Sequence, residues 1–347
     1  MRIFYILQNV QNFQGQWLNI EKFKKDRHLR DTANFLPHIV KNAKSQSTNK
    51  KYNTYFSKFR DWCLKHSFVH LPASVSTVAL FMGGLVQQRV STSVFEAYFY
   101  SINWTHEFSS SSNPSEDKFL KLVLEGGKRM LSKPINKKEP INTDILRKLM
   151  DFYSKDPSNV LQLRTFVMCL LGFSGFFRFS ELSNIRMCDI KWENAHIEIN
   201  IPKSKTDIYR RGNSVIIAKT GNDLCPVFWL NKYIDLLGLE KISEDYLFTA
   251  VNYLKSQNVY KASNKSKPLS YTRAREILLS SLKEIGLDSS KFALHSLRSG
   301  GVTAAANKNV SDRLLKIHGR WVMDKAKDGY IKDSIEQKLL VSMNLGL

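Results

Sequence analysis

Cysteine is scarce: the 347 residues hold four, Cys63, Cys169, Cys188 and Cys225, and no two form a CxxC pair. No Cys/His set has the spacing of a structural zinc site, so free thiols in a reducing compartment are expected and no metal ligand is assigned. Long apolar runs are missing too. Nothing approaches the roughly 20 apolar residues of a membrane-spanning helix. The apolar opening MRIFYILQNV is broken by Gln8 and Asn9, with no small-residue cleavage site behind it, so neither a membrane partner nor a secretory leader is expected. Acidic residues are the third shortage. Against 52 Lys and Arg stand 31 Asp and Glu, a formal net charge of +21, which predicts attraction to polyanions, nucleic acid first and an anionic membrane surface second.

What is present is a chain long enough for two ordinary domains, 43% hydrophobic and 24% charged, as in a globular protein. The positive charge is not confined to one tail. Up to Asn136 there are 19 Lys and Arg against 9 Asp and Glu, and beyond it 33 against 22. Both halves are basic, which favours two domains gripping one long polyanion over a neutral enzyme with a basic targeting tail.

Residues 1–37 mix aromatics with a basic cluster, Lys22 to Arg30, and read as a peripheral N-terminal extension or an imperfect start to the ordered protein. A helical domain follows over 38–136. Tyr52, Tyr55, Phe56, Phe59 and Trp62 recur at three- and four-residue steps, one apolar stripe. Further helices are expected from Ser74 to Gln88, Thr92 to Phe108 and Lys118 to Leu131. Lys50, Lys51 and Lys58 beside the stripe, and Lys128 and Arg129 in GGKRMLSKP, are candidate DNA contacts. Ile135 to Pro140 (INKKEP) reads as a linker, and 137–347 as a second domain.

In that domain Asn142 or Thr143 can cap a helix over Asp144 to Tyr153, and Leu161 to Phe173 is a long apolar helix. Residues 189–219 change period: Ile197, Ile199 and Ile201 alternate with polar residues and Val215 to Ile217 form a second run, a small antiparallel sheet. Between the runs, KSKTDIYRRGN offers Lys203, Lys205, Arg210 and Arg211 either as solvated surface or as DNA contacts. Pro226 to Leu237 and Ser270 to Ile285 read as helices, Asn252 to Lys267 as a polar loop, and Ser334 to Met343 as a short amphipathic helix whose apolar side needs a groove. The fold class expected is mainly α with a small antiparallel β-sheet.

Chemistry concentrates between Phe292 and Tyr330. His295 and Arg298 share a helix face, and Trp321 and Tyr330 follow nine residues apart. Gly300, Gly301 and Ala304 to Ala306 permit close helix packing. The set suits phosphate chemistry: an Arg fork for non-bridging oxygens, an imidazole for a proton, a phenol as nucleophile. Arg178, straight after the apolar helix, has two readings: a salt bridge to Glu181, or a cation held in a cleft for an anion.

Together these pieces resemble the tyrosine recombinases, the phage integrase family, over roughly residues 38–347. Ser174, Gly175, Arg178, Glu181 and Leu182 match its arginine box; Lys205, or less well Lys203, its hairpin lysine; His295 and Arg298 its H-x-x-R box; Tyr330 its nucleophile. The third box departs from the common L-G-H: HGRW leaves His318 or Trp321 for the phosphate, with spacing favouring Trp321. HGRW and KAKDGYIKDS resemble recombinases of eukaryotic mobile elements, such as Cryptons and DIRS-type retroelements, more than bacterial Xer proteins. The resemblance implies a helical core-binding domain, a catalytic domain, double-stranded DNA as partner, no cofactor, and cleavage and rejoining through a 3′-phosphotyrosine without metal or ATP. It implies a homotetramer on DNA joined through the C-terminal helix, Glu181 and His318 supporting the site from behind, and a nuclear location if the host is eukaryotic. Two alternatives stand beside this: a domesticated recombinase that keeps the fold but only binds DNA, and a type IB topoisomerase-like enzyme that shares the chemistry but relaxes DNA.

Overall fold

Ser45, Ser74 and Ser91 each turn an extended backbone into a helix by accepting the N–H three residues on, from Thr48, Thr77 and Val94. In this computed structural model, which describes residues 15–134, 136–202, 212–257 and 259–346, the chain divides into two compact units, Met1–Ile135 and Asn136–Leu347. The described part of the first is helical: α1 (Gln16–Phe23), α2 (Arg30–Lys41), α3 (Gln46–Lys65), α4 (Val75–Gln87), α5 (Thr92–Ser109) and α6 (Lys118–Leu131). The apolar stripe of α3 enters its core, where Phe59, Val78, Met82, Phe95, Ile102 and Leu120 are fully buried. Buried His106 ties α5 to the start of α4, its Nε2 accepting from Ala73 N and its Nδ1 donating to Ile102 O. Burial pulls the His106 pKa down, consistent with the neutral ring this pattern requires.

Residues 15–37, read as a peripheral extension or an imperfect start, carry α1 and most of α2. Trp17 is buried and its indole N–H donates to Phe108 O at 2.6 Å, and the expected boundary at residue 38 falls inside α2. One aromatic anchor among lysines gives too little periodicity to reveal this.

The second unit places α8 (Val160–Ser174) between α7 (Thr143–Ser154), α10 (Pro226–Leu237), α11 (Tyr271–Glu284) and α12 (His295–Ala306), with the short α9 (Phe179–Leu182) directly after it. Of the two capping candidates, Asn142 is the one that accepts from Ile145 N. Strands β1 (Ile190–Trp192), β2 (His196–Ile201) and β3 (Asn213–Ala218) form an antiparallel sheet in that order, with Ile199 facing Ile190 and Val215, and Ile197 facing Ile217. The alternating isoleucines are buried, as their period demands. The fold class is therefore mostly helical with small antiparallel sheets.

Asn252 to Lys267, read as a loop, instead contains a hairpin of β4 (Val251–Leu254) and β5 (Val259–Ala262), with Tyr253 opposite Tyr260. Its lysines mask the β-branched and aromatic residues that pair. The chain closes with α13 (Asp312–Gly319), α14 (Asp324–Asp328) and α15 (Ile335–Met343). No described helix is long and apolar enough to cross a membrane.

Helix α12 approaches its neighbours backbone to backbone. A Cβ on Gly300 would lie 1.8 Å from Ile141 O, and one on Gly301 2.0 Å from Phe173 O. Gly300→Ala should therefore destabilise the protein by roughly 1–3 kcal/mol in urea denaturation. Gly126→Ala, in an α6 position with nothing within 4 Å, should stabilise it by about 1 kcal/mol. Equal effects of the two would contradict the packing described.

Candidate active site

At the end of α8 the chain turns sharply through Phe176, whose φ of +47° is rare for a bulky side chain. Its carbonyl accepts from two guanidinium groups, Arg298 Nη1 and Arg320 Nη2, the latter at 3.0 Å. Two residues on, Arg178 caps α9. Its backbone N–H donates to Glu181 Oε2 at 2.9 Å and its Nη1 to Glu181 Oε1 at 2.7 Å. The salt bridge read from the sequence is thus made, and 13% of the Arg178 side chain stays open to solvent.

Glu181 is buried and does more. Its Oε2 accepts from Arg320 Nη2 at 2.8 Å, and Arg298 Nη1 lies 3.9 Å from the same oxygen. One carboxylate thus faces three guanidinium groups. Burial acts to raise the Glu181 pKa, but Arg320 and the hydrogen bonds from Arg178 more than reverse it and hold the carboxyl below its ordinary value.

Helix α12 carries His295 and Arg298 one turn apart. Arg298 has no solvent exposure and donates from Nη2 to Gly319 O at 2.6 Å. Its guanidinium carbon stands 4.1 Å from the Trp321 ring centroid and 5.2 Å from that of Tyr330. Burial first, then repulsion from Arg178 and Arg320, push the Arg298 pKa down despite Glu181. The Tyr330 ring lies parallel to exposed His295 at 6.3 Å and 5.7 Å from Trp321. His295, Arg298, Trp321 and Tyr330 are therefore together, with Arg178 and Glu181 joined to them through Arg298.

Geometry separates the two third-box residues. His318 Nε2 donates to Ser174 O at 2.7 Å and its ring packs edge-on to Phe176. Burial, then Arg320 and Arg298, lower its pKa, so it serves as a neutral brace for the backbone. Trp321 is buried with its Nε1 lacking an acceptor among the described residues, as are Arg298 Nε and Arg320 Nε. Three buried N–H donors without acceptors among the described residues are costly unless a water or an anion completes them.

Arg320, which holds this group together, was missed from sequence. It stands directly before Trp321 in HGRW, but its left-handed backbone, φ 55°, follows only from the helix end it caps. Lys203, Lys205, Arg210 and Arg211 lie outside the described residues. The remaining candidates belong to the first unit. Lys50, Lys51 and Lys58 are exposed on α3, whereas Lys128 pairs with Glu96 and Glu125, and Arg129 with Glu125. Among the described residues no three His, Cys, Asp or Glu side chains gather as a metal site.

The sequence profile of the phage integrase family matches residues 140–332. An integrase/recombinase xerD homolog from Selenomonas ruminantium is 27% identical over 297 residues, covering 84% of this chain and 83% of the relative. Among solved structures, the XerH site-specific recombinase bound to palindromic difH substrate superposes with a TM-score of 0.57 at 14% identity, covering 86% of this chain and 77% of that one. A lambda integrase dimer bound to a COC′ core site gives 0.54 at 15%, covering 92% and 95%. At these identities the two structures speak to the fold.

A carboxylate held below its ordinary pKa stabilises the fold above that ordinary value, 4.5 for Glu, and the contribution fades as pH falls through the lower folded value. Glu181→Gln should therefore cost roughly 3–5 kcal/mol at pH 7, and its deficit relative to wild type should shrink as urea denaturation is repeated below pH 4.5. A deficit constant with pH would mean that the carboxylate charge is not what matters.

Proposed function

The chain belongs to the phage integrase family, and from that premise we propose that it is a site-specific DNA recombinase whose nucleophile is Tyr330. The observation that carries this reading is the excess of buried positive charge. Three guanidinium groups share one carboxylate, and the neighbouring indole N–H has no acceptor among the described residues. A phosphodiester supplies the charge and the acceptors the cluster lacks.

In the reaction proposed, Tyr330 Oη attacks phosphorus while Arg178, Arg298 and Trp321 donate to the non-bridging oxygens. His295, stacked on the phenol, assists removal of its proton. The P–O5′ bond breaks, Lys205 protonates the departing 5′ oxygen, and a 3′-phosphotyrosine remains. The phosphoester linkage is conserved, so a 5′-hydroxyl reverses the step without ATP or a metal. Glu181, Arg320 and His318 hold the arginine box from behind.

Helix α15 has no buried residue, and Ile335, Leu339 and Met343, spaced four residues apart along one face, are 72%, 49% and 73% exposed. That face supports docking on a neighbouring copy in a tetramer on DNA. The exposed lysines of α3, the basic excess and the DNA-bound relatives support double-stranded DNA as the substrate, with binding that weakens steeply with salt. The HGRW and KAKDGYIKDS runs support a mobile-element origin in a eukaryotic nucleus.

A pool of nicked duplexes of varied sequence, incubated with the protein in chelator and then denatured, should yield a nucleotide adduct on the Tyr330 peptide in mass spectrometry. Nicks let the cut end diffuse away and trap the intermediate. Tyr330→Phe should give no adduct while still binding DNA. Salt-sensitive binding with no adduct from the wild type would remove the enzymatic reading. Separately, truncation after Asp333 should preserve adduct formation and abolish four-protomer complexes in light scattering on a site identified from the pool.

A further inference from the structure

Lys327 takes no part in the chemistry above, yet it is the buried residue of α14, the five-residue helix that leads into Tyr330. Its side chain is 2% exposed, and its Nζ lies 2.6 Å from Asp312 Oδ1 and 3.2 Å from Asp328 Oδ1. Burial pulls its pKa down, and the hydrogen bonds to Asp312 and Asp328 more than reverse this, so the ammonium stays charged. The arrangement is reciprocal. Lys316, one turn after Asp312 on α13, reaches back to Asp324 at the start of α14 at 3.1 Å. Each helix therefore gives one cation and one anion to the other.

Beyond α14 the chain is held by hydroxyls of α12. Ser299 Oγ donates to Tyr330 O at 2.5 Å, and Thr303 Oγ1 accepts from Lys332 N at 3.1 Å. Apolar support is limited to half-buried Tyr330 and Ile331 packing against the small cluster of Phe176, Val302, Leu315 and Trp321. The other four residues of α14 are exposed. The nucleophile segment is thus docked largely through polar contacts, among which Lys327 brings a buried ammonium to the solvent-exposed carboxylates of Asp312 and Asp328.

We infer that the Lys327–Asp312 pair is an ionic latch fixing the segment that bears Tyr330, which makes Lys327 a positioning residue that sets the rate of strand cleavage without setting DNA affinity. The inference rests on the strand-cleavage reading above and adds to it a control point on α14. A nucleophile displaced by about 1 Å loses on the order of a hundredfold in rate, so weakening the latch slows the cut even when DNA binds normally.

The test uses the full chain and three variants. Asp312→Asn removes a partner whose side chain is 76% exposed, Lys327→Met removes the charge but keeps the stem, and Lys327→Arg keeps the charge. Two quantities are measured: hydrogen exchange of amides 324–332, and the first-order rate of adduct formation at saturating protein on a nicked duplex. The first two variants should exchange these amides about tenfold faster than wild type, as local opening replaces docking. They should also cleave on the order of a hundredfold more slowly with unchanged DNA affinity, and Lys327→Arg should restore both quantities. Unchanged exchange in both Asp312→Asn and Lys327→Met overturns the latch, and faster exchange with unchanged cleavage overturns its role in positioning. A wild-type protein that forms no adduct sinks the strand-cleavage reading instead, and the exchange measurement then decides the latch by itself.

Discussion

Three guanidinium groups cannot share one buried pocket unless something offsets their repulsion, and Glu181 does so. It accepts from the Arg178 backbone on Oε2 and the Arg178 side chain on Oε1, from Arg320 on Oε2, and lies near Arg298. Each arginine arrives from a different part of the chain: the turn after α8, the first turn of α12 and the end of α13. The carboxylate therefore organises the fold as well as the charge. Without it, three segments that meet at this point would each bring a desolvated cation to the others.

The offset is incomplete. Net positive charge remains where solvent is largely excluded, so the field of the arginines is weakly screened. The Phe176 carbonyl satisfies two of the guanidinium donors, and an uncommon backbone conformation is the cost of placing it there. A site assembled in this way is preorganised. Its dipoles and charges already point inward before an anion arrives, which is the condition under which electrostatic stabilisation of a transition state is largest.

Much of this was legible in the sequence because the spacings within the candidate site and the helix faces are local patterns. The spacing of His295 and Arg298, the nine residues from Trp321 to Tyr330, and the alternating isoleucines of β2 are all short-range signals. What escaped was long-range or backbone-borne. Arg320 acts through carbonyls at positions 175 and 176 and a carboxylate at 181, and nothing in HGRW announces those partners. Burial of Lys327 depends on Asp312, fifteen residues away on another helix. The β4–β5 hairpin was hidden because four pairs in two short strands produce little periodicity among lysines. Trp17 was hidden because a single anchor has no period at all.

Helix α12 divides its circumference. At about 100° per residue, His295, Arg298, Ser299, Val302 and Thr303 fall on one arc, and Ser296, Leu297, Gly300 and Gly301 on the other. The first arc meets the Tyr330 segment or the arginine cluster, and the second meets Ile141, Gly172 and Phe173. The segment therefore has a reading frame of its own, set in angle. Inserting one residue after Arg298 would leave its composition nearly intact yet rotate Ser299 and Thr303 away from the Tyr330 backbone and turn both glycines out of their contacts. Length, in this stretch, is as tightly constrained as chemistry.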